Sequence, residues 1–379
     1  MELKIENAVK FINLLEEVED SRDNRGKRHN LHFIIASVTL AILSNRSTMS
    51  GIHRFISNKI EWLKEVLDRP EATVVSRAQL PRILDTVDWH DLNKHVEKFF
   101  ECNIEVYDGE WVAIDGKTLR GTISDKRNKA HENEKVATAV GHQSTQTVHQ
   151  RPIPYGESSE IVAVRQLLDE TELSSKKVTL DSLHAQFETL EIINSDGGRF
   201  IVQVKSNQLN LFNGLELIGT KTPACIYQTH ENNRSRVESR VAGFFDIEQI
   251  KFDDKWDNCG FKTLIVFDRK RVDLKNKKES EGRYYYLSNC QFIGREKELF
   301  NAIRQHWQVE VNNNIRDVTL REDYVKTGLA KYGQVLSLLR TLALNIIREV
   351  SPASIKNALD QFADCPDFLL KRLKQINFL

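Results

Sequence analysis

Paired cysteines, long apolar runs and net charge are what this 379-residue sequence has little of. Its five cysteines, Cys102, Cys225, Cys259, Cys290 and Cys365, are odd in number, scattered and without a CxxC pair. That argues against a disulfide framework or a zinc knuckle and leaves reduced, mostly buried thiols as the expectation. The longest apolar run, Leu31 to Ser44, follows Arg25, Lys27 and Arg28 and is shorter than the roughly 20 residues a bilayer span requires. It reads as a buried helix, so no membrane partner is expected. The opening MELKIENAVKFINLLEEVED is amphipathic and acidic, without the basic start or small-residue cleavage site of a signal peptide. A cytoplasmic protein is therefore expected. The 54 basic residues balance 54 acidic ones, so the whole molecule is not drawn to nucleic acid by its charge. Any such contact must come from local patches: Arg22, Arg25, Lys27 and Arg28; Lys117, Arg120, Lys126, Arg127 and Lys129; or Arg269-Lys270-Arg271 with Lys275, Lys277 and Lys278. There is no internal repeat and no low-complexity tract.

What is present is an ordinary globular composition, 40% hydrophobic and 28% charged, long enough for two or three domains. From Met1 to about Cys102 the apolar spacing is helical, as in Ala8, Phe11, Ile12, Leu15 and in Leu80, Ile83, Leu84, Val87. Beyond it lie short apolar runs that predict strands: Trp111 to Ile114, Val136 to Val140, Val178 to Leu180 and Phe200 to Val204. With helical stretches at Glu160 to Glu170 and Ala185 to Asn194, the order reads as an initial cluster of strands, then helix, strand, helix, strand. That order implies a mixed sheet with helices packed on its faces. From Leu209 to Arg295 the pattern turns to strands, Ala224 to Thr229, Val237 to Asp246, Lys262 to Phe267 and Arg283 to Leu287, and helix returns at about Glu296. Leu336 to Ile347 is apolar enough to be a buried helix. The expected class is thus α/β with an α+β mix. Its expected organisation is a helical N-terminal domain at 1–102, a core in two parts at 103–208 and 296–350, a β-rich insertion at 209–295 and a helical tail at 351–379.

Two segments carry candidate chemistry. In AIDGKTLRGT, Ala113 to Thr122, an apolar strand ends in Asp115, with Lys117 and Arg120 close by and suited to a phosphate backbone. Alone, the same residues also read as an Asp-Gly turn with a surface lysine. In KKVTLDSLHAQ, Lys176 to Gln186, another strand ends in Asp181, which could equally be a helix cap. Taken together, strands that end in aspartate on one sheet would bring two carboxylates to the same edge, where their repulsion is costly unless a cation is shared. Oxygen donors without a neighbouring Cys or His pair favour Mg²⁺ or Mn²⁺ over zinc. A third acid is expected on the helix around HWQVE, where His306, Glu310, Asn313 or Asn314, and Asp317 recur at helical spacing. Asp317, Glu322 and Asp323 compete with Glu310 for the role, and spacing alone does not choose among them.

These blocks, with RGKRHNLHFIIASVTLAILS, SRAQLPRILDTVDW, GGRFIVQVKSNQ, HENNRSRVESR, RYYYLSN and DVTLRED, resemble the H-repeat-associated insertion-sequence transposases of bacteria nearly end to end. Those proteins belong to the DDE transposases with a β-strand insertion. The resemblance implies a ribonuclease H-like catalytic core with Asp115, Asp181 and Glu310 as catalytic and metal-holding residues, far apart in sequence because the β-rich insertion intervenes. It implies two Mg²⁺ or Mn²⁺ ions per site and double-stranded DNA, both transposon ends and target, as the partner of a homodimer associated with the nucleoid. Lys117, Lys205, Asn207 and Gln208 are expected at the active-site rim and His306 on a DNA phosphate, with Arg120 also a DNA contact. His184 and Gln186 are expected to position Asp181 or the DNA. The basic loop with Arg25, Lys27 and Arg28 is the expected reader of the terminal repeats. After Glu310 this chain reads VNNNIRDV where the family form has a second His-Trp pair and its Asp-Val one place later, which keeps Asp317 as an alternative ligand. Rival expectations are a ribonuclease H-like nuclease that cuts without transposing, separable by a strand-transfer assay with pre-cut ends, and a catalytically inactive domesticated DNA-binding derivative, separable by metal titration.

Overall fold

The structure is a computed structural model that describes residues 10–103, 109–120, 122, 134–153, 160–233, 235–351 and 353–379. The basic cluster Lys126, Arg127 and Lys129 lies outside the described residues.

Six helices open the described chain: α1 (Phe11–Glu16), α2 (Leu31–Leu43), α3 (Met49–Asn58), α4 (Ile60–Val66), α5 (Gln79–Leu84) and α6 (Trp89–Asn103). The apolar run of the sequence is α2, started by Asn30, whose side chain accepts a hydrogen bond from the Phe33 amide at 2.7 Å. Nearly every residue of α2 is buried, so it forms the centre of a helical core.

Next come β1 (Trp111–Thr118), β2 (Lys135–Gly141), β3 (Thr147–Ile153), α7 (Glu160–Glu170), β4 (Lys177–Leu180), α8 (Phe187–Ser195) and β5 (Arg199–Val204). Strands β1 to β3 pair antiparallel, while β4 pairs parallel to β1, and β5 parallel to β4. This is the ribonuclease H-like arrangement expected above. The insertion opens with a helix that the strand-like texture concealed, α9 (Leu209–Gly219), and continues as β6 (Cys225–Asn233), β7 (Arg236–Asp246), β8 (Thr263–Asp273) and β9 (Lys278–Ser288). It does not form a separate sheet. Because β9 pairs antiparallel with β5, the described strands make one nine-stranded mixed sheet in the order β3-β2-β1-β4-β5-β9-β8-β7-β6.

The chain closes with α10 (Glu296–Gln305), α11 (Gln308–Asn314), a π-helical turn at Ile315–Thr319, α12 (Ala330–Val350), α13 (Ile355–Asp364) and α14 (Pro366–Gln375). The single helix expected from Glu296 is broken at His306 and Trp307, which lets His306 and Val309 reach different strands of the sheet. The last three helices share one hydrophobic core with α1 to α6. Phe11 stacks on Phe378 at 4.9 Å, and the Phe11 amide bonds the Asn377 carbonyl. Thus α12, grouped by sequence with the second part of the catalytic core, spends its apolar face on the N-terminal helices.

Alternation along the strands assigns the two faces of the sheet. Val112 and Ile114 of β1, Val178 and Leu180 of β4, and Phe200 and Val202 of β5 pack under α7, α8 and α9. Trp111 of β1 packs with Leu299 and Phe300 of α10, and Ala113 with Val309 of α11 and Val140 of β2. Asp115 and Lys117 continue that second series, so both belong to the face that α10 and α11 cover.

Candidate active site

Asp115 is not the last residue of its strand, since β1 runs on to Thr118. The parallel ladder with β4, however, ends at the pair Ile114 and Leu180. Asp115 and Asp181 are therefore the first residues past that ladder on two adjacent strands, and parity puts both on the α10–α11 face. Asp181 also caps the short turn Ser182–His184, its carboxylate accepting from the Leu183 amide at 2.9 Å. The capping use and the clustering of acids coexist in one side chain.

The neighbourhood is crowded with negative charge. Burial pushes the Asp115 carboxyl up to about 7, and the nearby Glu160 and Asp181 push in the same direction. Glu160, at the start of α7, was not singled out from sequence. It fills the space above Gly116, where a Cβ would come within 2.2 Å of it. His184 is fully buried, with Nε2 3.5 Å from Glu160 and 4.0 Å from Asp181, and it holds Glu160 below its ordinary range.

The segment after β5 secures the Asp181 turn. Asn207 donates to the Ser182 carbonyl at 2.6 Å, while Gln208 donates to the Ala185 carbonyl at 2.9 Å and to Gln186 at 3.3 Å. Lys205 beside them is exposed. Two backbone segments distant in sequence are thus tied at the point that carries a carboxylate.

Lys117 lies elsewhere than on an open rim. It is only 5% exposed, hydrogen-bonded to Asp317 and 3.4 Å from Glu322, and Glu322 in turn pairs with the fully buried Arg316 at 2.9 Å. Asp317, the alternative third acid, is thereby engaged. Arg120 extends into solvent with its amide on Asp323. Arg25, Lys27 and Arg28 are exposed on a turn ahead of α2, whereas Arg22 is tied to Asp20 and the His29 carbonyl.

Glu310 and His306 line a groove of about 940 Å³ between α10–α11 and the insertion strands. Arg236 and Arg240 of β7, Arg269 and Arg271 of β8 and Arg304 of α10 face it, with Tyr284, Tyr286 and an exposed Trp307. Some of these arginines are neutralised, for Arg240 pairs with Glu231 and Glu238, and Arg304 with Glu231. Among the described residues, Arg236 and Arg271 make no ion pair within 4.0 Å. The basic run seen in sequence is divided by the pleat: Arg269 and Arg271 face the groove, and Lys270 pairs with Glu279 and Glu281. Arg236, Arg240 and Arg304, from two further elements, had no clustered sequence signal.

Carboxylate oxygens are the donors that magnesium and manganese accept, and a cation would offset the burial and the repulsion that together raise Asp115. Asp115 and Asp181 fit such an ion on that ground. Among the described residues no three His, Cys, Asp or Glu side chains converge closely enough to hold a metal ion together, and Glu310 opens into the groove. No helix among the described residues is long and apolar enough to cross a membrane.

The site thus comprises two carboxylates past the end of a parallel ladder in a mixed sheet and, between α10–α11 and the insertion strands, an arginine-lined groove. Comparison with known proteins supplies the assignment. Residues 107–346 match the family described as transposase DDE domain, and residues 12–100 match the region described as DDE_Tnp_1-associated. The match spans more than half of the chain, which belongs to the transposase DDE family. The chain is 26% identical over 371 residues to "Putative transposase YncI" of Escherichia coli O157:H7, covering 92% of this chain and 88% of that one. It is 27% identical over 364 residues to "H repeat-associated putative transposase YhhI" of Escherichia coli strain K12, covering 92% and 91% respectively. A cryo-EM structure of a piggyBac transposase synaptic complex with hairpin DNA aligns with 98% of this chain and 78% of that chain, at 10% identity and a TM-score of 0.43.

Proposed function

We propose that the protein is a DNA transposase that cuts DNA at the ends of its element and joins those ends to target DNA. The observation that carries this reading is the placement of Asp115 and Asp181 side by side just past the parallel β1–β4 ladder, where burial first, and Glu160 and Asp181 after it, push the Asp115 carboxyl up to about 7. Asp115, Asp181 and Glu310 would hold Mg²⁺ or Mn²⁺, two ions per site. Such ions, when bound, activate the attacking oxygen and stabilise the leaving oxygen of a phosphodiester. Asp317 is already engaged by Lys117, which favours Glu310 as the third acid.

The chain's own residues bind and orient the DNA. Arg271, Arg236 and the other groove arginines grip phosphates, and the Asn207 and Gln208 contacts keep the Asp181 turn in register with the sheet. Exposed Lys205 and Arg120 extend the basic surface, and Arg25, Lys27 and Arg28 on the helical domain read the terminal repeats. The working unit is a homodimer on double-stranded DNA, associated with the nucleoid.

The test is metal-dependent cleavage of DNA carrying the element's ends by Asp115→Ala, Asp181→Ala and Glu310→Ala. Each is expected to lose cleavage while folding and DNA binding persist. A variant that still cuts at the wild-type rate removes that residue from the site.

A further inference from the structure

Between β4 and α10 a single hydroxyl serves two imidazoles. Thr179 Oγ1 lies 3.0 Å from Nε2 of His142 and 2.9 Å from Nδ1 of His306. Thr179 and His142 are each 2% exposed, and His142 sits just past β2 with its amide on the Trp111 carbonyl. Burial pulls His142 down to about 3 and His306 down to about 4, so both rings are neutral at physiological pH.

A hydroxyl has one proton to donate, so it can donate to only one of these nitrogens and must accept from the other. The two tautomers are therefore coupled. In the first arrangement His142 donates from Nε2, Thr179 donates to His306 Nδ1, and His306 carries its proton on Nε2. In the second every donor is reversed, and His142 carries its proton on Nδ1. That nitrogen is buried and has no hydrogen-bond partner among the described residues. The second arrangement would leave a buried N–H without an acceptor, whereas the first leaves only a bare lone pair, the less costly orphan.

We propose that Thr179 and His142 are positioning residues that act in series to hold His306 as its neutral Nε2–H tautomer, presenting a hydrogen-bond donor to an anionic phosphodiester oxygen in the groove. The ligand class rests on the transposase reading, but the tautomer does not. A neutral donor orients a phosphate oxygen without adding a charge beside Asp181. His306 thus differs in kind from the arginines opposite, which bind by charge.

The experiment is long-range ¹H–¹⁵N spectroscopy of the histidine-labelled full-length protein at neutral pH without metal, with His142→Asn and His306→Asn used for assignment. His306 is expected as a single Nε2–H tautomer. Thr179→Val should convert it to a mixture or to the Nδ1–H form, and Thr179→Ser, which restores the hydroxyl, should return the wild-type pattern. Adding a mixed-sequence DNA duplex should shift the His306 Nε2 resonance in the wild type. An Nδ1–H tautomer in the wild type, or an unchanged pattern in Thr179→Val, overturns the relay. An intact relay whose His306 signal ignores the duplex overturns the donor role. If the relay and the DNA response are both present and end-specific cleavage is absent, the transposase reading fails while this inference stands.

Discussion

Replacing Asp115 with asparagine should stabilise the protein above neutral pH while removing its activity, and the structure sets the size of the effect. The folded protein holds the Asp115 proton to about 7, against 3.8 for an ordinary exposed aspartate. Three pH units correspond to roughly 4 kcal/mol as a ceiling, at 1.36 kcal/mol per unit, and solvent reaching this half-buried carboxyl reduces that to about 2 kcal/mol. The sign follows from proton linkage. Between about pH 4 and 7 the folded state keeps a proton that the unfolded state has lost, so wild-type stability falls as pH rises through that window. Asparagine cannot titrate and lacks this fall. Urea unfolding in EDTA should therefore show Asp115→Asn ahead of wild type by about 2 kcal/mol at pH 8, with the gap shrinking toward pH 5. Magnesium should close the gap at pH 8 by stabilising only the wild type, by about 2.7 kcal/mol at a hundred times its dissociation constant. A variant no more stable than wild type at pH 8, or a gap that does not depend on pH, would refute the claim that burial and crowding at Asp115 store energy for a cation.

Lys117→Met would leave Asp317 without its lysine and take from Glu322 one of the cations around it, leaving Arg316 and Arg340, and unfolding should show a loss of about 3 to 5 kcal/mol, partly recovered by adding Asp317→Asn. An exposed lysine on a DNA rim would instead change stability little. Arg271→Ala should weaken DNA binding about equally for all sequences and make its dependence on log salt shallower by about 1; an unchanged slope would take β8 off the DNA path. Gly198→Ala should destabilise by about 1 to 3 kcal/mol or more in denaturant unfolding, because its Cβ would come within 2.0 Å of the Ser174 carbonyl oxygen.

Much of the architecture was legible along the chain because periodicity is a local property. Short apolar runs bounded by polar residues marked β1, β4 and β5, and the helical spacing of the first hundred residues marked the bundle. Two aspartates following apolar strands pointed to one sheet edge, and the structure gives the reason they are neighbours: β1 and β4 are parallel and in register up to Ile114 and Leu180. The N-terminal part of the insertion was misread, since α9 is apolar enough to be taken with the strands after it. The break at His306 was also hidden, because a turn of two residues scarcely disturbs a helical pattern.

The sequence by itself determined which residues can form strands and helices, which acids follow apolar strands, and where the basic run of β8 lies. Tertiary structure alone decided which of those residues meet. Pairing of β9 with β5 joins the insertion to the core sheet and faces Arg236, Arg240, Arg269 and Arg271 toward Arg304 and Glu310. Register brings His142 and His306 to one hydroxyl, and the fold turns Lys117 inward to Asp317 and Glu322. The physical reason is that periodicity specifies the face a side chain occupies, whereas strand order and helix docking specify what lies opposite that face.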